Sequence, residues 1–384
     1  MQIVNEMQLD FGDVLIRPRR SSIDSRSKVD ITREYNFKWC PYKIVGTGIM
    51  QANMGTIGNF EVSRKMLENG LFACLHKHHK VEDLIGFYKE LVDKGENSIA
   101  SWVKDDYPWR RCLLGIGLRD NGIEKLREIN KELGIQVGVK FDVPNGYIPQ
   151  VKEKVIELRK EFPEMFIMVG NVVTGDITED LILSGADCVA IGIGNGAQCL
   201  TRRQTGCGRP QLSAIIECAD AAHQVGGMVC ADGGITCPGD LGKAFGAGAD
   251  FIMIGSLFAG TDEAEGELIS KWMFTGEYEP AEDMSGFVPK LELKEFKQFY
   301  GMSSTLAQEK FGNGKPKYRA SEGRVTLVPY VGPIDAVIEE LLGGLRSTMT
   351  YLGAWRLKHI PKQCTFYPVH NQLNTTYEKY TIGK

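Results

Sequence analysis

The feature that most narrows the fold is a series of short apolar runs, rich in Val, Ile and Gly, that recur along the first two thirds of the chain. They occupy residues 43–51, 71–76, 112–117, 136–142, 165–171, 188–193, 228–232 and 251–255. Each is too short for a helix, and each is nearly continuous rather than alternating, as a strand buried on both faces of a parallel sheet must be. Between them lie stretches with helical period at 60–69, 81–94, 123–133, 148–162, 177–184, 210–224 and 238–245. Pro210 and Pro238 stand where a first-turn proline is tolerated, and Gly70, Gly95 and Gly134 follow helix ends as C-terminal caps do. Strand and helix alternating to a count of eight predict an α/β chain closed into a (β/α)8 TIM barrel, with an open doubly wound sheet as the alternative. Either fold places function at the carboxyl ends of the strands.

At 384 residues the chain accommodates one such barrel with insertions, read here as a single catalytic domain over residues 1–384. A net charge of −4 and a pI near 6.0 provide no global basic field for nucleic acid or an anionic membrane. Arg17-Pro-Arg-Arg20 reads as a solvated or subunit-contacting loop. The first residues lack the succession of a secretory signal, and no apolar run approaches the roughly 18 to 20 residues that span a bilayer. A soluble cytoplasmic protein is therefore expected. The ten cysteines show no CxxC spacing and read as reduced thiols, most of them small buried hydrophobes. His76-Lys-His-His79 has no second cluster of ligands to complete a metal site.

One cysteine stands apart. The sixth run is followed by a long loop from Gly192 to Pro210 with five glycines, in which Gly192, Gly194 and Gly196 are spaced two apart. Such spacing lets backbone amides and carbonyls converge on a small volume, as an ion or a phosphate requires. Cys199 lies in this loop at the expected barrel mouth, beside Thr201, Arg202 and Arg203, whose charge would favour a thiolate. An arbitrary cysteine is inert packing; in this loop we read it as a nucleophile. Gly233 and Gly234 after the seventh run, with Gly255 and Ser256 after the eighth, are candidates for a backbone phosphate site. Asp232 ends the seventh strand, where it either accepts from two ribose hydroxyls or forms a turn before Gly-Gly.

At this point the residues resemble the IMP dehydrogenase and GMP reductase family, from Leu9 to about Phe366. The likeness is densest in Gly170-Asn-Val-Val-Thr-Gly175, Ile182-Leu-Ser-Gly-Ala-Asp187, Glu217-Cys-Ala-Asp-Ala-Ala-His223, Tyr300-Gly-Met-Ser-Ser304, Tyr318-Arg-Ala-Ser-Glu-Gly323 and Gly343-Gly-Leu-Arg-Ser-Thr348. Residues 77–113 leave no room for the regulatory (CBS/Bateman) domains that the dehydrogenases insert, and the flap segments around Tyr300 and Tyr318 resemble the reductase pattern. The resemblance implies NADPH-dependent reductive deamination of GMP, or a closely related guanine nucleotide, to IMP and ammonia through a covalent thioimidate. It matches Cys199 to the nucleophile, and Thr201 with Glu322 to the pair that shuttles a proton to the departing amine. Asp232, Gly233, Gly234, Gly255, Ser256, Gly301, Met302, Ser303, Arg319, Ala320, Ser321 and Gly323 match nucleotide contacts. Lys77, Asp142, Val143, Pro144, Ile193, Gly194, Met302, Tyr318, Arg319, Ser347, Thr348, Met349 and Thr350 match NADPH contacts, with Ser25 and Arg26 supplied by a neighbouring subunit. Gly194, Gly196, Cys199 and Arg202 match a potassium site, and a shared cofactor pocket implies a homotetramer.

The chain departs from the family's pattern around the mouth. Gly194-Asn-Gly-Ala197 replaces Gly-Pro-Gly-Ser, so a serine hydroxyl near the phosphate is lost; Ser256 stands ready to restore it. Leu200 replaces Thr, Gly55 replaces Asp, Ala190 replaces a Lys of both branches, and Pro144 replaces Ala. Residues 265–299 form an insertion longer than in typical reductases, whose Trp272, Phe274, Tyr278 and Phe287 predict a small packed subdomain over the phosphate side or at an intersubunit edge. Residues 300–325 are read as a mobile flap. The alternatives are dehydrogenation of IMP with NAD, reduction of a deoxy or modified purine nucleotide, and an inactive nucleotide-binding homologue.

Overall fold

In a computed structural model, which describes residues 1, 3–94, 107–118, 121–281, 286–311 and 320–370, the eight apolar runs form one parallel sheet. Its strands are β1 (Ile49–Gln51), β2 (Ala73–Leu75), β3 (Cys112–Ile116), β4 (Val139–Asp142), β5 (Ile167–Val172), β6 (Cys188–Ile191), β7 (Met228–Asp232) and β8 (Phe251–Ile254). Each pairs with the next, β8 returns to β1, and a parallel bridge between Met50 and Phe72 closes the ring. The closed barrel is the expected one, and the open sheet is excluded. The strands are buried along almost their whole length, which is why their sequences are continuous rather than alternating.

Helices α1 (Phe60–Glu68), α2 (Val81–Asp93), α3 (Gly122–Leu133), α4 (Pro149–Glu161), α5 (Gly175–Leu183), α6 (Gln211–Gln224) and α7 (Pro238–Gly246) follow the first seven strands. Asn59 caps α1 by accepting from the Val62 amide, and Gly134 ends α3 at φ +65°. Pro238 occupies the first turn of its helix, whereas Pro210 sits one step outside, at the N-cap of α6. Gly95 lies outside the described residues. The helix that follows β8 in the barrel ring, α8 (Ile334–Leu352), comes only after the insertion and the flap.

Two expectations are corrected. The run 43–51 is two strands: Lys43–Gly46 pairs antiparallel with Arg33–Asn36 outside the barrel, and only Ile49–Gln51 joins the ring. The break falls at Gly48, where a Cβ would lie 2.3 Å from the Tyr35 hydroxyl oxygen, so the Tyr35 ring stacked on Phe251 fits beneath the barrel only beside a glycine. The insertion is an antiparallel ribbon, β9 (Leu268–Pro280) against β10 (Phe287–Tyr300), with β11 (Val325–Pro329) along the inner end of β10. Its aromatics do not pack into a subdomain: Trp272, Phe274, Tyr278 and Phe287 are 66%, 49%, 62% and 73% exposed.

Candidate active site

The carboxyl ends of the strands surround a cavity of about 550 Å³. Cys199, Thr201, Glu322, Asp232, Gly233, Gly234, Gly255, Ser256, Gly301, Met302, Ser303 and Gly323 all line it, and so do Lys77, Asp142, Val143, Pro144, Ile193, Gly194 and Gly196. The volume falls within the usual range for small-molecule sites.

The glycine loop carries Cys199 into this cavity. Gly192 and Gly194 adopt φ +148° and +80°, conformations that a side chain disfavours, and Asn195 ties the loop to β7 through a 2.8 Å bond from its Nδ2 to the Asp232 carbonyl. Cys199 is half-buried, and its Sγ donates to Thr201 Oγ1 at 3.2 Å. Thr201 Oγ1 in turn donates to Glu322 Oε2 at 2.7 Å. Residues 121 positions apart in sequence thus form one continuous line from a thiol through a hydroxyl to a carboxylate.

The flap strand is strapped onto the cysteine loop by its backbone. The Leu200 amide donates to the Glu322 carbonyl at 2.7 Å, Cys199 and Gly323 form an antiparallel bridge, and the Arg324 amide donates to the Gln198 carbonyl at 3.1 Å. The Arg324 guanidinium donates from Nε to the Ala197 carbonyl at 2.7 Å. The other end of the flap rests on Gly55, whose amide donates to Met302 Sδ at 3.0 Å. A Cβ there would lie 2.9 Å from Phe311 Cε2 and 3.0 Å from the Tyr300 hydroxyl, so the aspartate expected from the family pattern would have to displace those two side chains of the flap.

The charge environment of Cys199 differs from that read in the sequence. The Arg202 side chain folds back over Gly194, donating to Asp10 Oδ2 at 3.2 Å and to the Arg209 carbonyl at 2.5 Å, and Arg203 is exposed. The sulfur's hydrogen-bond partner is Thr201, while the Arg202 guanidinium is held by Asp10 and Arg209.

A buried cation is the residue that sequence reasoning missed. Lys140 of β4 is 2% exposed, and its Nζ lies 2.9 Å from Asp232 Oδ2, 3.1 Å from Asp142 Oδ1 and 3.1 Å from Asn53 Oδ1. Burial pulls its pKa down, but Asp142 and Asp232 outweigh that pull and hold it above the ordinary lysine value. Asp142 is also desolvated, yet Lys140 lowers its pKa. Asp232 Oδ2 accepts a second bond from Asn171 Nδ2 at 2.9 Å, so the turn reading of Asp232 gives way to a carboxylate held inside the barrel mouth. The signal was present in the sequence: a lysine within a strand buried on both faces must meet buried anions.

Other expected residues lie away from this cavity. Ser321 donates to the carbonyls of Ser303 and Gly323, bracing the flap, while neither it nor Ala320 lines the cavity. Ser347, Thr348 and Thr350 turn their hydroxyls onto carbonyls of their own helix, α8, and Met349 is fully buried in the core. Ser25 and Arg26 sit at a short 3-10 turn outside the cavity. Within one chain these six residues do not reach the site. Tyr318 and Arg319 lie outside the described residues. His76 and His79 stack at 3.8 Å with their rings nearly parallel, and burial lowers the pKa of His76 to about 3, so they form a neutral packed pair. Among the described residues no group of three or more His, Cys, Asp or Glu is placed to hold a metal, and no helix is long and apolar enough to cross a membrane.

Comparisons with known proteins agree with this geometry. The family description "IMP dehydrogenase / GMP reductase domain" matches residues 8–373. A protein named GMP reductase from Aliivibrio salmonicida (strain LFI1238) is 42% identical over 379 residues, covering 99% of this chain and 100% of that one. GMP reductase 2 of Mus musculus is 42% identical over 375 residues, 98% of each chain, and GMP reductase 2 of Homo sapiens is 42% identical over 377 residues, 98% of this chain and 99% of that one. With a barrel of the expected kind, a cysteine at its mouth and matches over nearly the whole length, the chain is an oxidoreductase belonging to the IMP dehydrogenase and GMP reductase family.

Proposed function

We propose that the protein reduces GMP to IMP and ammonia with NADPH through a covalent intermediate on Cys199, serving purine nucleotide interconversion. The single observation that carries this reading is the line Cys199–Thr201–Glu322, whose links measure 3.2 and 2.7 Å inside the cavity. In the proposed sequence the Cys199 sulfur bonds to C2 of the purine, and its proton moves to Thr201 as Thr201 passes its own to Glu322. Glu322 then returns a proton through Thr201 to the 2-amino group, the C2–N bond breaks and ammonia leaves a thioimidate. When bound, NADPH supplies a hydride to C2; the C2–S bond then breaks and Cys199 recovers its electron pair as thiolate. Closure of the flap over the mouth keeps water from C2, where it would otherwise hydrolyse the thioimidate.

The cavity walls suit the two partners. Asp232 offers a carboxylate to ribose hydroxyls, and Gly233, Gly234, Gly255 and Ser256 offer amides and a hydroxyl to the phosphate. Lys77, Asp142, Val143, Pro144, Ile193 and Gly194 line the same cavity and would face the nicotinamide. A potassium ion suits the carbonyls of Gly194, Gly196, Cys199 and Arg202. Those of Gly196 and Arg202 each accept one backbone bond, from Cys199 and Gly206, and keep a second lone pair. An ion there would hold the cysteine loop in register. The functional test is NADPH oxidation across a panel of GMP, dGMP and modified purine nucleotides. We expect the highest kcat/KM with GMP; NAD reduction with IMP and no NADPH oxidation would replace this reading with dehydrogenation.

We propose further that the ribbon β9–β10 is an intersubunit edge of a homotetramer. Register places Trp272, Leu293, Phe274, Leu291, Tyr278 and Pro289 on one face, with Lys271, Lys294 and Glu292 on the other. Of residues 265–299 the cavity lining includes Phe299, at the barrel end of β10, and none of 265–298, which argues against a role for the outer ribbon over the phosphate. Trp272, Phe274, Tyr278, Leu291 and Leu293 are each about half to two thirds exposed, an uncovered apolar face of the kind that subunit interfaces bury. Trp272→Ser with Phe274→Ser is expected to reduce the assembly to a smaller species in light scattering. An unchanged mass would remove this role.

A further inference from the structure

We propose that Lys140 is a positioning residue that fixes the nucleotide-facing carboxylate, Asp232, against the cofactor-facing carboxylate, Asp142, so that the two halves of the cavity are coupled through one buried ammonium. The inference rests on the proposed roles of those two aspartates.

Lys140 reaches the barrel interior because of strand register. On β4 it pairs with Met168, Met168 pairs with Cys188, and Cys188 pairs with Met228, so all four point the same way, along with Asp232 four residues after Met228. Its three donors are matched by oxygens of Asp232, Asp142 and Asn53 at 2.9 to 3.1 Å. Asp232 and Asp142 both line the cavity, each with an oxygen anchored on the same nitrogen. Two carboxylates facing one small space repel each other, and without the ammonium each would rotate or take up a proton. Lys140 therefore sets both the orientation and the charge of the groups that meet ribose and cofactor. Its polar partners are Asp232, Asp142, Asn53 and Met253 Sδ, not Cys199, so its action is through Asp232 and Asp142.

The same geometry accounts for Ala190. Ala190 is fully buried on β6 and pairs with Cys230, two residues before Asp232 on the same face, so its Cβ enters the barrel interior just below that carboxylate. It is the position where the family pattern leads one to expect lysine. A four-carbon stem from residue 140 or from residue 190 delivers an ammonium to the same carboxylate, and this chain uses residue 140.

The test uses the full-length enzyme and the variants Lys140→Met, Lys140→Met with Ala190→Lys, and Asp142→Asn. KM for GMP and for NADPH, kcat, and GMP affinity by calorimetry are measured alongside melting temperature. In Lys140→Met we expect both KM values to rise about tenfold or more, as loss of a charged hydrogen bond implies. Ala190→Lys is expected to recover at least about half of that loss on a logarithmic scale. Asp142→Asn is near-isosteric, leaves Lys140 paired to Asp232, and keeps the inference testable should Lys140→Met fail to fold. It is expected to raise KM for GMP as well as for NADPH, by about threefold or more. Folded Lys140→Met with both KM values within about twofold of wild type, or an Asp142→Asn effect confined to NADPH, would overturn the coupling. A lower melting temperature with unchanged KM values would mark a merely structural lysine and overturn it too. Wild-type protein that neither binds nor turns over GMP would overturn the functional reading, and this inference with it, whereas normal wild-type binding that the variants leave unchanged overturns the inference alone.

Discussion

Cys199→Ala is expected to lower kcat by at least about 10³-fold while GMP affinity stays within about threefold of wild type. The expectation follows from what the thiol does and does not touch. Its Sγ makes a 3.2 Å hydrogen bond to Thr201. The contacts that hold the loop are made by backbone: the Cys199 amide to the Gly196 carbonyl, the Leu200 amide to the Glu322 carbonyl, and the bridge to Gly323. Alanine keeps all of them. The proposed nucleotide contacts, Asp232 and the glycines after β7 and β8, are anchored to other elements, so binding survives the loss of bond formation. The other cysteines provide the control. Burial raises the pKa of Cys40, Cys112 and Cys218 to about 12, leaving them with almost no thiolate at neutral pH. Cys207 and Cys237 are exposed, but neither lines the cavity. Alanine at Cys207 should therefore leave turnover unchanged. Steady-state NADPH oxidation with calorimetric GMP binding checks both statements, and undiminished turnover in Cys199→Ala would refute covalent catalysis.

The parts of this site that could be read from sequence are those that local rules determine. Eight buried strands announce themselves by apolar continuity, and register then delivers their carboxyl ends to one rim without further information. Cys199 and the glycine loop were readable because Gly192 and Gly194 take conformations that favour glycine. Long-range partners were not. Arg202 lies three residues from Cys199 and looked like its activator, but Asp10, 192 residues away, holds its guanidinium instead. Lys140 was hidden for the opposite reason: one charge in an apolar run carries little weight until its anions, 92 residues away at Asp232, are seen. The ribbon shows a third kind of gap. Alternation in Trp272, Phe274, Leu291 and Leu293 signals strands with one apolar face, yet what covers that face is not encoded in the strand itself. Met349 illustrates the reverse, a motif residue whose helical period already marks it as core.

Thr201→Val and Glu322→Gln are each expected to reduce kcat by about 10²- to 10⁴-fold, and the double variant is expected to be little worse than either single one. Both substitutions preserve shape. Valine removes the hydroxyl that links Cys199 Sγ to Glu322, since the sulfur meets Thr201 at 3.2 Å and Thr201 meets Glu322 at 2.7 Å. Glutamine cannot accept and return a proton as a carboxylate does, yet the backbone bonds that Glu322 and its neighbours make to Leu200 and Gln198 are untouched, so the flap strand stays in place. If the two side chains act as one relay, removing either breaks it and the second substitution has nothing left to remove; independent contributions would instead multiply. The two outcomes differ by about 10²-fold or more in the double variant, well beyond error in a rate measurement. A single-turnover experiment locates the defect. A relay that protonates the departing amine predicts that no NADPH is oxidised when ammonia release stalls, because hydride transfer must wait for the thioimidate. A burst of NADPH oxidation in Glu322→Gln would place Glu322 after hydride transfer and require a different donor for the amine.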